Sequence, residues 1–161
     1  LDDLVKVNRE LKNRQVKFNM VFVGSGPMIK ELKRKLPQAH FTGHLNDENL
    51  FEWFATGDVF AYPSTTETFG LVVQEAFSSG VPVVGVDKGG VGSLIKDGET
   101  GFLFPVHDIE TFADNCELLL KNKELRQKMG KTARQNSLNN SWDKVNRRVI
   151  LSYQNLIKNH S

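Results

Sequence analysis

The sequence predicts an α/β domain built as a doubly wound parallel sheet. Three observations carry that expectation. Short apolar runs alternate with stretches of helical periodicity along the chain. The runs are continuously apolar, as in Val59-Phe60-Ala61-Tyr62 and Pro82-Val83-Val84-Gly85-Val86, which suits strands covered on both faces. Glycine or proline stops most of them at the carboxyl end. Ligands of such sheets sit outside the carboxyl ends of the strands, so chemistry is expected at those stops.

Leu4, Val7 and Leu11 recur at helical spacing and make residues 1–13 a helix. Residues 17–23 form a strand stopped by Gly24-Ser25-Gly26-Pro27. Pro27 opens the next helix, with Ile29, Leu32 and Leu36 on its inner face. Residues 39–42 form a strand that ends at Gly43. Residues 46–55 form a helix capped by Asn46 or Asp47, with Leu50, Phe51 and Phe54 facing inward. Residues 59–62 are a strand closed by Pro63-Ser64, and residues 70–79 a helix ended by Gly80. Residues 82–86 are a strand, Gly89-Gly90 a turn, and residues 92–95 a short helical piece. Asp97-Gly98 turns the chain into a strand over 101–104. Asp108 caps a helix that reaches Leu120, a second covers 123–138, and the last starts at Ser141 and reaches about Ile157.

The chain has 161 residues, which suits one domain with a full hydrophobic core. Lys and Arg number 21 against 19 Asp and Glu, a net charge of +2. That is too weak for a nucleic-acid footprint, so no nucleic-acid partner is expected. Cys116 is the only cysteine, so no internal disulfide can form, which fits a reducing, cytoplasmic compartment. No apolar run approaches the ~18 residues of a membrane-spanning helix, and nothing reads as a signal peptide. Leu1 opens a helix already under way, and the expectation is an N-terminus further upstream.

The most informative stretch runs from Pro63 to Ala76. Glu67 lies in the loop after a strand, and Glu75 in the second turn of the following helix. That helix starts near Gly70, where the amides of Phe69, Gly70, Leu71 and Val72 are expected to be free to donate. A helix start of this kind holds anions, and a diphosphate fits it. Glu75 has Val72, Val73, Ala76 and Phe77 as neighbours, and a carboxylate among them needs a partner. The adjacent hydroxyls of a ribose would supply one. On spacing alone a structural reading stands equally, with Glu75 facing solvent or paired with a lysine.

Other features point less far. Gly24-Ser25-Gly26 begins a dinucleotide fingerprint, but Ile29 occupies its third glycine position. His40, His44, His107 and His160 lack metal-ligand spacing, so no metal site is expected. Trp53 and Trp142 are read as packing residues. Lys30, Lys33, Arg34 and Lys35 form a solvated helix face, with contact to a membrane surface as the alternative.

The stretch from Glu67 to Val84 resembles the signature of the large retaining glycosyltransferase family typified by sucrose and sulfolipid synthases and bacterial α-mannosyltransferases. Their two-domain architecture is called GT-B. The pattern is Glu, seven residues, Glu, a small-residue stretch and Gly-x-Pro-Val-Val, here Glu67, Glu75, Ala76 to Ser79 and Gly80 to Val84. Gly24-x-Gly26-Pro27, Phe41-Thr42-Gly43, Gly57-Asp58-Val59, Pro63-Ser64, Gly89-Gly90 and Gly98-x-x-Gly101-Phe102-Leu103 match in order.

The resemblance implies a single Rossmann-like, donor-binding C-terminal domain over 1–161, truncated at its N-terminus and lacking the acceptor-binding domain. It implies hexosyl transfer with retention from a UDP- or GDP-sugar to a glycan or lipid, without cofactor or metal. Glu75 would hold the ribose and Glu67, the catalytic assignment, the donor sugar. The amides of Phe69, Gly70, Leu71 and Val72 would serve the diphosphate and sugar. His44 and Leu45 would lie against the base, and Gly24 and Gly26 would let the backbone approach the nucleotide. The fragment alone is expected to bind nucleotide without turnover, and the enzyme to be cytoplasmic or peripheral on a membrane. Two departures stand out. Ser93 replaces an acidic residue usual after the paired glycines. The family's phosphate-binding Arg and Lys would precede Leu1. The alternatives are a sugar-nucleotide epimerase of the same architecture and a non-catalytic nucleotide-sugar-binding subunit.

Overall fold

The computed structural model describes residues 1–139 and 142–159. Its elements are α1 (Asp2–Asn13), β1 (Val21–Val23), α2 (Ile29–Lys35), β2 (His40–Gly43), α3 (Asp47–Thr56), β3 (Phe60–Tyr62) and α4 (Leu71–Ser78). There follow β4 (Val83–Val86), α5 (Gly89–Leu94), β5 (Gly101–Phe104), α6 (Ile109–Lys121), α7 (Lys123–Asn139) and α8 (Trp142–Asn159). Ser141, His160 and the side chain of Trp142, on which expectations rested, lie outside the described residues.

All ladders among the described residues are parallel, as the apolar runs predict. β1 pairs with β2, Val21 opposite His40 and Phe22 opposite Phe41. β4 lies between β3 and β5, with Val83 opposite both Phe60 and Gly101. The two pieces are not joined by a ladder among the described residues. β4 is buried at every position. Successive side chains of a strand face opposite ways, so both faces of the sheet are covered at its centre. One apolar cluster joins Val83, Val84 and Val86 to Val73, Ala76 and Phe77 of α4 and to Leu4, Val7 and Leu11 of α1. Phe104 of β5 stacks on Phe112 of α6, ring centres 4.1 Å apart.

The caps follow the sequence. Asn46 takes the start of α3, its side chain accepting from the Asn49 amide at 3.0 Å. Asp108 does the same for α6 through the Thr111 amide at 3.0 Å.

Three expectations need correction. Phe51 is 45% exposed. The inner stripe of α3 is Leu50, Trp53 and Phe54, which share helical spacing, and Phe51 lies one residue round the helix from it. β1 begins only at Val21, because pairing with β2 starts where His40 N donates to Met20 O at 2.8 Å. Gly89-Gly90 is the first turn of α5 rather than a separate turn. Gly90 N donates to Glu67 O at 3.1 Å, and a Cβ on Gly90 would sit 2.5 Å from Thr68 O. That backbone approach ties the start of α5 to the loop before α4.

Candidate functional site

The loop after β3 delivers the sequence-predicted residues to the start of α4. Gly70 caps that helix at φ 72° and ψ 35°, a left-handed conformation that glycine adopts without penalty. It has no side chain to cap with, and Glu67 supplies the acceptor instead. Glu67 Oε1 accepts from Gly70 N at 2.9 Å and from Phe69 N at 3.3 Å. Glu67 Oε2 accepts from the Tyr62 hydroxyl at 3.1 Å. The Gly70 amide above all, then the Tyr62 hydroxyl and the Phe69 amide, hold the Glu67 carboxyl below its ordinary value. Burial pushes the Tyr62 phenol up, so it stays protonated and donates.

This corrects the expectation that the amides of Phe69 and Gly70 are free: Glu67 takes both. A carboxylate is favoured there for the reason a phosphate would be, since both amides point out of the helix start. Leu71 and Val72 occupy the first helical positions, whose amides have no partner within the helix by construction.

Glu75 is placed less deeply than its neighbours suggested. Val73, Ala76 and Phe77 form the buried face of α4. Glu75 is half-buried and shares the opposite face with the exposed Leu71 and Ser78, four residues before it and three after. Along the axis it stands about 6 Å beyond Leu71, one turn inward. One helix start therefore brings together Glu67, Phe69, Gly70, Leu71, Val72 and Glu75.

Gly24, Gly26, His44 and Leu45 form a second group, on the loops after β1 and β2. Gly24 N donates to Gly43 O at 2.8 Å and joins the two loops. A Cβ on Gly24 or Gly26 would meet nothing within 4 Å, so a ligand can approach that backbone closely. His44 is exposed and Leu45 half-buried. Two other histidines are engaged elsewhere: His40 stacks on Trp53 with ring centres 5.3 Å apart, and His107 Nδ1 lies 2.9 Å from Asp3 Oδ2. Among the described residues no three His, Cys, Asp or Glu side chains converge as metal ligands.

Sequence reasoning missed Tyr62, which it read only as the end of a strand. The signal available was a hydroxyl at a strand's carboxyl end, five residues before a loop glutamate. Ser93, which departs from the family pattern, turns back on its own helix. Its hydroxyl donates to Gly89 O and Gly90 O, both at 3.1 Å.

A parallel α/β domain that sets two carboxylates at one helix start, beyond the carboxyl end of a strand, is built to hold a ligand there. The chain is a member of the glycosyl transferases group 1 family, whose profile matches residues 1–136. It is 41% identical over 128 residues to the sulfoquinovosyl transferase SQD2 of Arabidopsis thaliana, covering 76% of this chain and 25% of that protein. It is 34% identical over 139 residues to a GDP-mannose-dependent alpha-mannosyltransferase of Corynebacterium glutamicum, covering 86% and 33%. The chain thus spans a quarter to a third of the length of these relatives. Among solved structures, sucrose-phosphate synthase from Thermosynechococcus elongatus superposes with a TM-score of 0.81 at 23% identity, over 96% of this chain and 42% of that one. The pneumococcal O-GlcNAc transferase GtfA, solved with UDP and GlcNAc, gives 0.81 at 22% identity, over 97% and 33%. These likenesses show the fold, a Rossmann-like domain of GT-B glycosyltransferases.

Proposed function

We propose that the chain is the donor-binding domain of a retaining hexosyltransferase that uses a UDP- or GDP-sugar. One observation supports this most: in a member of this family, Glu67 sits clasped at the start of α4 with Glu75 one turn inward on its half-open face. The diphosphate takes the Leu71 and Val72 amides, Glu75 accepts from the ribose hydroxyls, and Glu67 accepts from the sugar. His44 and Leu45 face the base, and the backbone at Gly24 and Gly26 lies alongside the nucleotide. The donor in the name of the mannosyltransferase relative supports a nucleotide-sugar substrate. The family assignment does not favour the epimerase or the non-catalytic subunit.

In the reaction, the bond from the anomeric carbon to the β-phosphate oxygen breaks. The acceptor oxygen bonds to that carbon on the same face, and its proton passes to the leaving phosphate oxygen. The configuration is retained, and no metal or cofactor takes part. The protein contributes positioning and stabilisation of the charge that develops on the phosphate. The acceptor, a glycan or a lipid, is selected by parts of the protein outside this domain. Among the described residues no helix is long and apolar enough to cross a membrane. The lone, buried Cys116 supports a reducing, cytoplasmic setting for the enzyme, and a lipid acceptor would bring it to a membrane surface.

Isothermal titration of the domain with UDP and GDP tests the reading. Saturable heat with one of them is expected, and no heat with either overturns it. Product analysis of the complete protein with UDP-, GDP- and ADP-sugars then identifies the donor.

A further inference from the structure

We propose that Tyr62 is a positioning residue of this site, whose hydroxyl fixes Glu67 so that one acceptor position on Oε2 is left for a single sugar hydroxyl. The inference rests on the donor-binding reading above and adds to it a residue from the sheet. An ionised carboxylate offers about four acceptor positions, two on each oxygen. Glu67 Oε1 already accepts from Gly70 N and Phe69 N, and Oε2 accepts from Tyr62. The Thr68 amide also acts on this carboxyl, and among the described residues Tyr62 is the one close hydrogen-bond donor to Oε2, which leaves that oxygen room for one more. Glu67 in this pose can take one hydroxyl, not the paired hydroxyls of a diol.

The two sides of that clasp differ in kind. The Phe69 and Gly70 amides belong to the loop and helix start, and they hold one oxygen only. Held by Oε1 alone, the carboxylate could swing its second oxygen. Tyr62 prevents this from a rigid base. It is laddered opposite Gly85 of the buried strand β4. Its ring stacks on Phe60 with centres 5.3 Å apart, and Phe60 in turn meets Phe54 edge-on at 5.3 Å. The position of Oε2 is therefore set by the sheet and its aromatic packing rather than by the loop. A phenylalanine at 62 keeps that stack and loses only the hydroxyl.

The test is Tyr62→Phe in the complete protein that carries this domain. The assay is release of nucleoside diphosphate from UDP-glucose, UDP-galactose, GDP-mannose and ADP-glucose, using whichever turns over fastest. Titration with UDP and GDP, and thermal melting, accompany it. The variant should bind nucleotide as wild type does and melt only slightly lower, by the loss of one part-buried hydrogen bond, while kcat falls about tenfold, the scale of one hydrogen bond to a charged group. The acid limb of the kcat profile should move to higher pH, because Glu67 loses one of the donors that keep it ionised. In a Glu67→Ala background, adding Tyr62→Phe should have no further effect, since Tyr62 acts only through that carboxylate. An unchanged kcat with an unmoved acid limb overturns the proposal, and so does an equal loss in the Glu67→Ala background. Wild-type protein that neither binds nucleotide nor turns over any donor sinks the donor-binding reading itself. Wild-type protein that does both, with Tyr62→Phe silent, removes Tyr62 alone.

Discussion

Gly70→Ala probes the start of α4, on which the candidate site depends. Gly70 is left-handed at φ 72°, where a side chain costs about 1–2 kcal/mol. An added Cβ would also lie 2.3 Å from Leu94 Cδ1, so Leu94 has to move. Overpacking costs about 1–3 kcal/mol, and the low end applies because the colliding atom is the tip of a flexible side chain. The stiffer unfolded chain offsets about 0.4–1 kcal/mol. The net is a destabilisation of about 2 kcal/mol, or about 4–8 °C in Tm for a chain of this size. Thermal unfolding followed by circular dichroism reads it, with Gly26→Ala as control. Gly26 has no positive φ, and its added Cβ meets nothing within 4 Å, so that variant should melt at or slightly above wild type, by the stiffer unfolded chain alone. A Gly70→Ala melt within ~1 °C of wild type would refute the strain argument. Equal falls in both variants would do so too, by showing that local φ and packing are not what matters.

Glu75→Ala should weaken binding of UDP or GDP by about 1–3 kcal/mol, the worth of a charged acceptor to hydroxyl donors. Titration calorimetry measures it, and unchanged affinity in a folded variant removes Glu75 from the site. Glu67 has a folded-state pKa below its ordinary 4.5, so its contribution to stability is present above that value and is lost as pH falls through the lower, folded one. Glu67→Gln should therefore flatten the loss of stability as pH falls from neutral through that acid window, read as a series of urea midpoints. An acid dependence identical to wild type would show that the carboxylate is not held as the structure has it. Burial pushes the Cys116 thiol up to about 12, so it should resist disulfide reagents at pH 8 in the folded protein and react once urea unfolds it. Rapid labelling of folded protein would contradict its place in the core.

Much of this arrangement is legible in the residues, and the gaps have physical causes. The strand Gly101–Phe104 and the Asp108 cap follow from local signals alone: an apolar run between turns, and an aspartate before a periodic stretch. The neighbourhood of Glu67 and Glu75 follows from spacing along one loop and one helix. What Glu67 does with its own loop does not. Helix caps are usually read from Ser, Thr, Asp or Asn at the N-cap, whereas here the N-cap is Gly70 and the acceptor comes from three residues earlier. The Tyr62 contact depends on how the loop folds back, which no periodicity encodes. Phe51 lies one position off the inner stripe of α3, and an apolar residue beside an apolar stripe reads as part of it. β1 starts later than its apolar run, because extended apolar chain is visible in the sequence and its ladder partner is not.

The partition of amides at α4 has a consequence for how a donor would lie. A helix start carries roughly +0.5 of an elementary charge, concentrated on its first amides. Glu67 already neutralises the outermost of these at Gly70, and the donors around it keep it ionised at neutral pH. A phosphate on the Gly70 amide would have to displace that charge or sit beside it at close range, and both are unfavourable. The Leu71 and Val72 amides make no hydrogen bond to that carboxylate and belong to the first helical positions, in the dipole's reach. On the proposed reading, a diphosphate would thereby be directed along the helix toward Glu75, and a neutral sugar, which can donate a hydroxyl to Glu67, would be directed to the mouth of the loop. The order of ribose, phosphate and sugar proposed for the site would then follow from a single carboxylate that holds the helix start.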